Sequence, residues 1–187
     1  MPDGYLSNPL IFLINAVVGA YIFVLIFRVL LQATSADSRN PVSSFIIKAT
    51  QWPLKIIKPI FPTFKGINLS AIVLMLALQM LVIFIAVSGG PSILAVFIAS
   101  IIELVGNVID VFLYSIFATV IISWINPGTY NPVVSLLYKI TEPVLKPCQK
   151  VIPPIGGLDL SPMVALLGLQ VLKMLLIPPL RSLMYAV

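Results

Sequence analysis

Histidine is absent from this chain of 187 residues, and cysteine occurs once, as Cys148. Without histidine there is no imidazole for acid–base catalysis, for zinc or for an axial haem ligand. A lone cysteine allows neither an intrachain disulfide nor a thiolate metal cluster. Charge is also scarce, at 9% of residues with only 6 Asp and Glu, where soluble domains carry about 25%. No cofactor is expected, and an enzyme is the least favoured class.

What fills the chain is apolar: 60% of residues are hydrophobic. The hydrocarbon core of a bilayer takes about 20 residues of helix, at 1.5 Å each, to cross. Runs of that kind occupy 8–31, 69–87, 92–125 and 161–180. The first lacks a basic leading segment and is longer than the apolar stretch of a signal peptide, so it is expected to be a permanent span. Net charge is +5. Because the basic residues flank the spans, that charge is read as orientation and contact with anionic lipid headgroups, with no nucleic-acid partner.

The chain also repeats itself. Residues 40–81 return at 131–172 with a fixed offset of 91 and no gap. Asn40-Pro41-Val42 matches Asn131-Pro132-Val133, and Lys48, Thr50 and Lys55 match Lys139, Thr141 and Lys146. Pro62, Gly66, Ser70 and Gln79 match Pro153, Gly157, Ser161 and Gln170. Asn, Pro, Lys, Gly and Gln are rare enough here for their agreement in register to mark a duplication. The expectation is an all-α polytopic membrane protein with four transmembrane helices in two parallel tandem repeats, 1–90 and 91–187.

Between the spans of each repeat lies an amphipathic stretch, 40–66 and 131–157. In the first, Val42, Phe45, Ile46, Ala49 and Trp52 share one helical face, with Ser43, Ser44, Lys48 and Gln51 off it. Pro53 should end or kink that helix, leaving a shorter piece with Lys55 and Lys58 on its polar side. The second stretch places Lys139, Lys146 and Lys150 likewise. Basic residues opposite Trp and Phe describe a helix lying in the headgroup plane. The second span of each repeat opens with helix-capping residues, Asn68 and Ser70 or Asp159 and Ser161, the last followed by Pro162 at the first helical position.

The basic residues also set orientation. The first stretch carries Lys48, Lys55, Lys58 and Lys65 with Arg39 just before it, and the second carries Lys139, Lys146 and Lys150, while the N-terminus and the turn at 88–92 carry no Lys or Arg. Both stretches are therefore expected in the cytoplasm and both termini in the periplasm. Two spans per repeat make the copies point the same way, related by an axis along the membrane normal.

The third run is too long for one perpendicular crossing. From 92 to 125 it would measure about 50 Å as helix, against about 30 Å of hydrocarbon. Either it tilts and protrudes, or it breaks near Gly106 with 92–104 lying along the surface; the repeat register favours 106–125 as the span. Along it Ser100, Glu103, Asn107, Asp110 and Tyr114 form one helical stripe. Measured from Trp124 at the cytoplasmic interface, Asp110 lies about 21 Å deep, and Lys173 lies about 18 Å past the Ser161 cap. Equal depth on consecutive helices makes them a candidate intramembrane pair. Gln79 and Gln170, at equivalent buried positions, are candidates for a hydrogen bond across the pseudo-symmetry axis. Glu103 is expected to be solvated, and Arg28 to snorkel to the interface.

Several motifs resemble the YggT family of small bacterial membrane proteins, also called YlmG, with relatives in chloroplasts. They are Arg28-Val29-Leu30-Leu31, the two Asn-Pro openings, Thr141-Glu142-Pro143-Val144-Leu145 and, most specifically, the stretch from Val151 to Pro162. The likeness spans nearly the whole chain and looks like the two-repeat bacterial form. The first repeat departs from the pattern at Gln51-Trp52 and Phe64-Lys65-Gly66, where the second has Glu142-Pro143 and Ile155-Gly156-Gly157.

The resemblance implies a role in tolerance of hyperosmotic shock through potassium uptake, in cell division, or in assembly tasks such as the nucleoid distribution and haem attachment tied to chloroplast relatives. It brings no catalytic residue. Two functional classes follow: a scaffold or assembly factor of the inner membrane that meets protein partners or lipid through its amphipathic helices, and an oligomeric ion or osmolyte transport component.

Overall fold

The computed structural model describes residues 7–64, 66–87, 90–125, 131–151 and 159–184. Six helices appear in them: α1 (Ser7–Ala33), α2 (Pro41–Ile57), α3 (Leu69–Ala86), α4 (Ile93–Ile125), α5 (Pro132–Val151) and α6 (Ser161–Met184). A two-residue antiparallel pair, β1 (Thr63–Phe64) and β2 (Ile67–Asn68), closes the turn between α2 and α3. Gly66 sits in that turn at φ +82°, where a Cβ is disfavoured. Stretches Pro9–Ala33, Leu69–Ala86, Ile93–Ser123 and Ser161–Ser182 are long and apolar enough to cross a membrane.

Helix α1 packs along α3, and α4 packs along α6, so the same hairpin occurs twice. The copies join where α3 packs on α4. At one end α2 and α5 meet, and the Asn40 side-chain amide donates to the Pro132 carbonyl at 2.7 Å. Both elbows therefore lie at the same end of the bundle, which requires the repeats to be parallel. The main core gathers Ile22, Leu25 and Ile26 of α1, Leu54 of α2, Ala71 and Met75 of α3, and Val111 of α4. A second cluster seats Leu136 and Ile140 of α5 against Leu31 of α1.

Helix α4 is continuous for 33 residues. It does not break at Gly106, and residues from Ile93 onward belong to the same rod as Asp110. Gly106 instead lies against α6: a Cβ built there would stand 3.8 Å from Ile177 Cδ1. An unbroken helix keeps its own hydrogen bonds, and one glycine costs it only about 1 kcal/mol.

Pro53 does not end α2 either, since the helix runs on to Ile57. Proline removes the N–H that would have bonded to the carbonyl four residues earlier, here that of Ala49. That carbonyl accepts from the Tyr21 hydroxyl of α1 at 3.4 Å. A neighbouring helix thus supplies a donor where the sequence removed one, which local reasoning cannot foresee.

Candidate functional site

Lys173 of α6 donates from Nζ to Asp110 Oδ1 of α4 at 2.5 Å, with both side chains mostly covered. At the register of the duplication their counterparts are Val82 and Gly19. The pair is therefore a property of the second hairpin alone. About two turns further along, Arg181 Nη2 meets Glu103 Oε1 at 2.6 Å. Glu103 is thus paired rather than simply solvated, and both cations of α6 are matched by acids of α4.

The rest of the polar stripe on α4 does not form one continuous line of polar contacts. Ser100 is buried and donates to the Val96 carbonyl of its own helix at 2.7 Å. Asn107 is half-buried. Tyr114 is exposed, with its ring tilted against Phe23 of α1 at 6.4 Å. A shared stripe on one helix thus spreads over two neighbours, Asp110 meeting α6 and Tyr114 meeting α1.

The two glutamines part company. Gln79 is buried on α3, whereas Gln170 is exposed on α6, and no hydrogen bond joins them among the described residues. The expected bond across an axis fails because α3 lies between α1 and α4, whereas α6 has α4 on one side and no comparable packing on α1.

Asn68 caps α3, and Asp159 ties the turn that leads into α6. Asn68 Oδ1 accepts from the Ala71 N–H at 3.2 Å. Asp159 Oδ1 accepts from the Ser161 N–H at 2.9 Å, and its Oδ2 accepts from Gln149 Nε2 at 3.1 Å. Burial works to raise the Asp159 carboxyl, but the Ser161 and Gln149 hydrogen bonds outweigh it and leave it below its ordinary value. Ser70 is buried and donates to the Phe61 carbonyl nine residues upstream at 2.6 Å, sewing the β turn to α3. Ser161 is the first residue of α6, and the Leu160 carbonyl accepts the helix's opening bonds.

On the elbows, Lys48, Lys55, Lys58, Lys139, Lys146 and Lys150 are all exposed, and Lys58 also closes α2 through its backbone N–H to the Leu54 carbonyl. Lys65 and residues 152–157 lie outside the described residues. Phe45, Trp52 and Ile56 of α2 point away from the protein, while Ser43, Thr50 and Leu54 face it. The inward hydroxyl of Thr50 has structural work: its Oγ1 bonds the Ile46 carbonyl at 2.7 Å and accepts from Arg28 Nη1 at 3.3 Å. Arg28 also donates to the Ile47 carbonyl at 3.0 Å, so it anchors α2 instead of extending freely to water. On α5, Lys139 and Lys146 clamp Glu142 at 2.8 and 2.5 Å. Their hydrogen bonds and charges hold its carboxyl at about 2 instead of 4.5.

Between α1, α2 and the β turn opens a cavity of about 610 Å³. Arg28, Lys55 and Lys58 line it together with Gln32, Ser43 and Asn68, and no acid does. No cluster of three or more His, Cys, Asp or Glu fit for a metal occurs among the described residues. The walls of the cavity come from three separate segments, so no single run of the sequence marks it.

These features define a helical membrane protein with four spans, built from a duplicated hairpin whose two spans are joined by a shorter helix. The CCB3/YggT family model matches residues 7–88 and 98–180, one match per repeat, and the chain belongs to that family. A Pseudomonas aeruginosa protein is 36% identical over 177 residues, covering 92% of this chain and 90% of its own. A Vibrio alginolyticus protein is 36% identical over 171 residues, covering 87% and 90%. The Escherichia coli protein called "Uncharacterized protein YggT" is 29% identical over 170 residues, covering 89% and 88%. No solved structure matches the chain.

Proposed function

We propose that this protein is a non-enzymatic scaffold or assembly factor of the bacterial inner membrane. It presents α2 and α5 at the cytoplasmic leaflet to a protein partner or to anionic lipid, with both termini periplasmic. One observation carries the reading. The two elbow helices lie side by side at one end of the bundle, with Phe45 and Trp52 turned outward beside exposed lysines. Aromatic and basic residues on one exposed helix suit a headgroup boundary, and anionic lipid attracts the cations at about 1 kcal/mol each.

Cys148, near the end of α5, supplies the test. A membrane-impermeant thiol reagent should leave it unmodified in intact cells and label it in inverted vesicles. Labelling in intact cells would place the elbows outside and end this reading. Mild-detergent purification should then recover a stoichiometric partner that is lost with Trp52→Glu.

The Asp110–Lys173 pair favours a second reading, an oligomeric ion or osmolyte transport component supporting hyperosmotic tolerance. Ionisable groups within spans commonly mark ion paths. Liposomes holding the protein should then pass ions after a salt step and lose that flux with Asp110→Asn. Absence of flux from the folded, reconstituted protein removes this alternative.

A further inference from the structure

We propose that the protein associates with further copies of itself head to tail, each copy's α1 and α2 docking on the preceding copy's α6 and α5. The repeat-to-repeat joint inside the chain is the template. In a two-fold arrangement, the packing of α3 on α4 would be matched by α6 on α1. It is not, among the described residues. The joint is therefore heterologous: the second repeat leaves open the face that the first repeat uses, and the first leaves open the face that the second uses. Such contacts continue into rings or rows of copies.

The side chains agree position by position. On α3, Gln79 is buried and Leu76, Met80 and Ile83 are partly buried. Their counterparts on α6, Leu167, Gln170, Val171 and Met174, are all exposed and follow the same three- and four-residue spacing. The helix that packs on α3 and has no equivalent on α6 is α4. On α4, Leu104, Val108 and Val111 pack into the main core. Their counterparts on α1, Leu13, Val17 and Ala20, are exposed.

The elbows repeat the pattern. Leu136 is 5% exposed, in a cluster with Val42, whereas its counterpart Phe45 is 69% exposed. Asn40 reaches Pro132 through its side-chain amide, while the matching Asn131 side chain bonds only the Val133 N–H of its own helix among the described residues. Lipid could cover the apolar stripes, but it offers no partner to the Gln170 amide within the spans. An α1 stripe with Ala16 and Ala20 suits close helix approach. Docking takes up Phe45 and leaves Trp52 and Ile56, whose counterparts Pro143 and Pro147 stay exposed, for what the elbows recruit.

The test uses disulfide crosslinking of the full chain in membranes, on a Cys148→Ser background. Phe45→Cys with Val133→Cys, the counterparts of Leu136 and Val42 that share one cluster within the chain, should yield covalent dimers and a ladder above them. Either single variant alone should stay monomeric. Val42→Cys with Leu136→Cys should close within one chain, without change of mass. Pro41→Cys with Asn131→Cys, patterned on the Asn40–Pro132 contact, should give the same ladder. Val17→Trp, at an exposed position, should abolish both ladders. Monomers throughout while the internal pair closes, dimers from single variants, or ladders that survive Val17→Trp would each overturn the proposal.

A different observation assigns the elbow cavity of the first repeat to a phosphate-bearing anion. Arg28, Lys55 and Lys58 line it without a carboxylate. The Ser43 hydroxyl, which also lines it, is buried and finds no partner among the described residues. The second repeat has Thr119 and Val134 where the first has Arg28 and Ser43, so the site belongs to one repeat. A phospholipid headgroup fits this chemistry, as does free phosphate; the first rests on the elbows lying at the inner leaflet. Detergent-purified protein tests the site without testing that orientation.

Native mass spectrometry with phosphatidylglycerol should show a bound lipid, weakened about tenfold by Arg28→Gln and little by Lys139→Gln. Displacement of that lipid by millimolar inorganic phosphate identifies the free anion as a ligand; retention identifies the headgroup. Equal lipid binding by wild type and Arg28→Gln overturns the site.

Discussion

Lys173 and Asp110 meet at 2.5 Å where the first hairpin has Val82 and Gly19. Apolar packing holds the same helix pair in both repeats, and the second adds a charge pair. Removing one partner strands a charge among apolar side chains. A fully buried pair costs about 3–5 kcal/mol when broken this way, and partial exposure reduces that. Lys173→Ala should destabilise by about 1–3 kcal/mol in denaturant titration in micelles. Exchanging the two residues, Asp110→Lys with Lys173→Asp, should recover most of the loss.

Tyr21 and Pro53 should be coupled although they lie on different helices. Tyr21→Phe removes the donor to the Ala49 carbonyl and should cost about 0.5–1.5 kcal/mol. In a Pro53→Ala background the helix N–H returns, so the same change should cost measurably less. A double-mutant cycle giving strict additivity would show that the hydroxyl does not serve the proline.

Glu142 should titrate well below an ordinary glutamate. Its folded carboxyl lies at about 2 against 4.5, with Lys139 and Lys146 as the cause. Its contribution to holding α5 is therefore complete above pH 4.5 and disappears as pH falls toward 2. The group is exposed, so high salt should weaken the effect. Carboxyl NMR should give a depressed midpoint that moves up with Lys139→Gln and Lys146→Gln.

Asn68 and Asp159 predict different conservative rescues. Asn68→Ala should cost about 1 kcal/mol through loss of the bond to the Ala71 N–H. Asn68→Asp should retain it. Asp159→Asn should keep the Ser161 bond, with melting temperature in detergent as the measure. Ser70→Ala acts through another contact, the Phe61 carbonyl, and should free the β turn to exchange its amide protons faster.

Spans, duplication and shared direction are legible in the sequence because each needs only counting along the chain. Apolar run length, the recurrence of scarce residues and the placement of lysines are one-dimensional quantities. Depth is one too, which is why Asp110 and Lys173 can be matched before any fold is known. What the counting misses depends on neighbours. Helix α2 passes through Pro53, and the Ala49 carbonyl it frees is met by Tyr21 from another helix. Ser70 serves a carbonyl nine residues away instead of capping. Register identifies Gln79 with Gln170, but whether repeats meet around an axis or in file decides which amide is covered. Glu103 and Arg181 have no matched polar counterparts in the first repeat, where Phe12 and Gly90 stand. Nothing in the duplication points to their bridge.

The length of α4 gives its two ion pairs different surroundings. A rod of 33 residues could fit inside about 30 Å of hydrocarbon only by leaning past about 50°, beyond the roughly 0–40° found for spanning helices. Its outer turns must stand clear of the lipid tails. Counting back from Ile125, Glu103 lies about 33 Å along the axis, while Asp110 lies about 22 Å along it. Counted so, the Glu103–Arg181 contact belongs at the edge of the lipid tails, and added salt is expected to loosen it. The Asp110–Lys173 contact belongs deeper among them, and dissolved salt is expected to leave it almost unchanged.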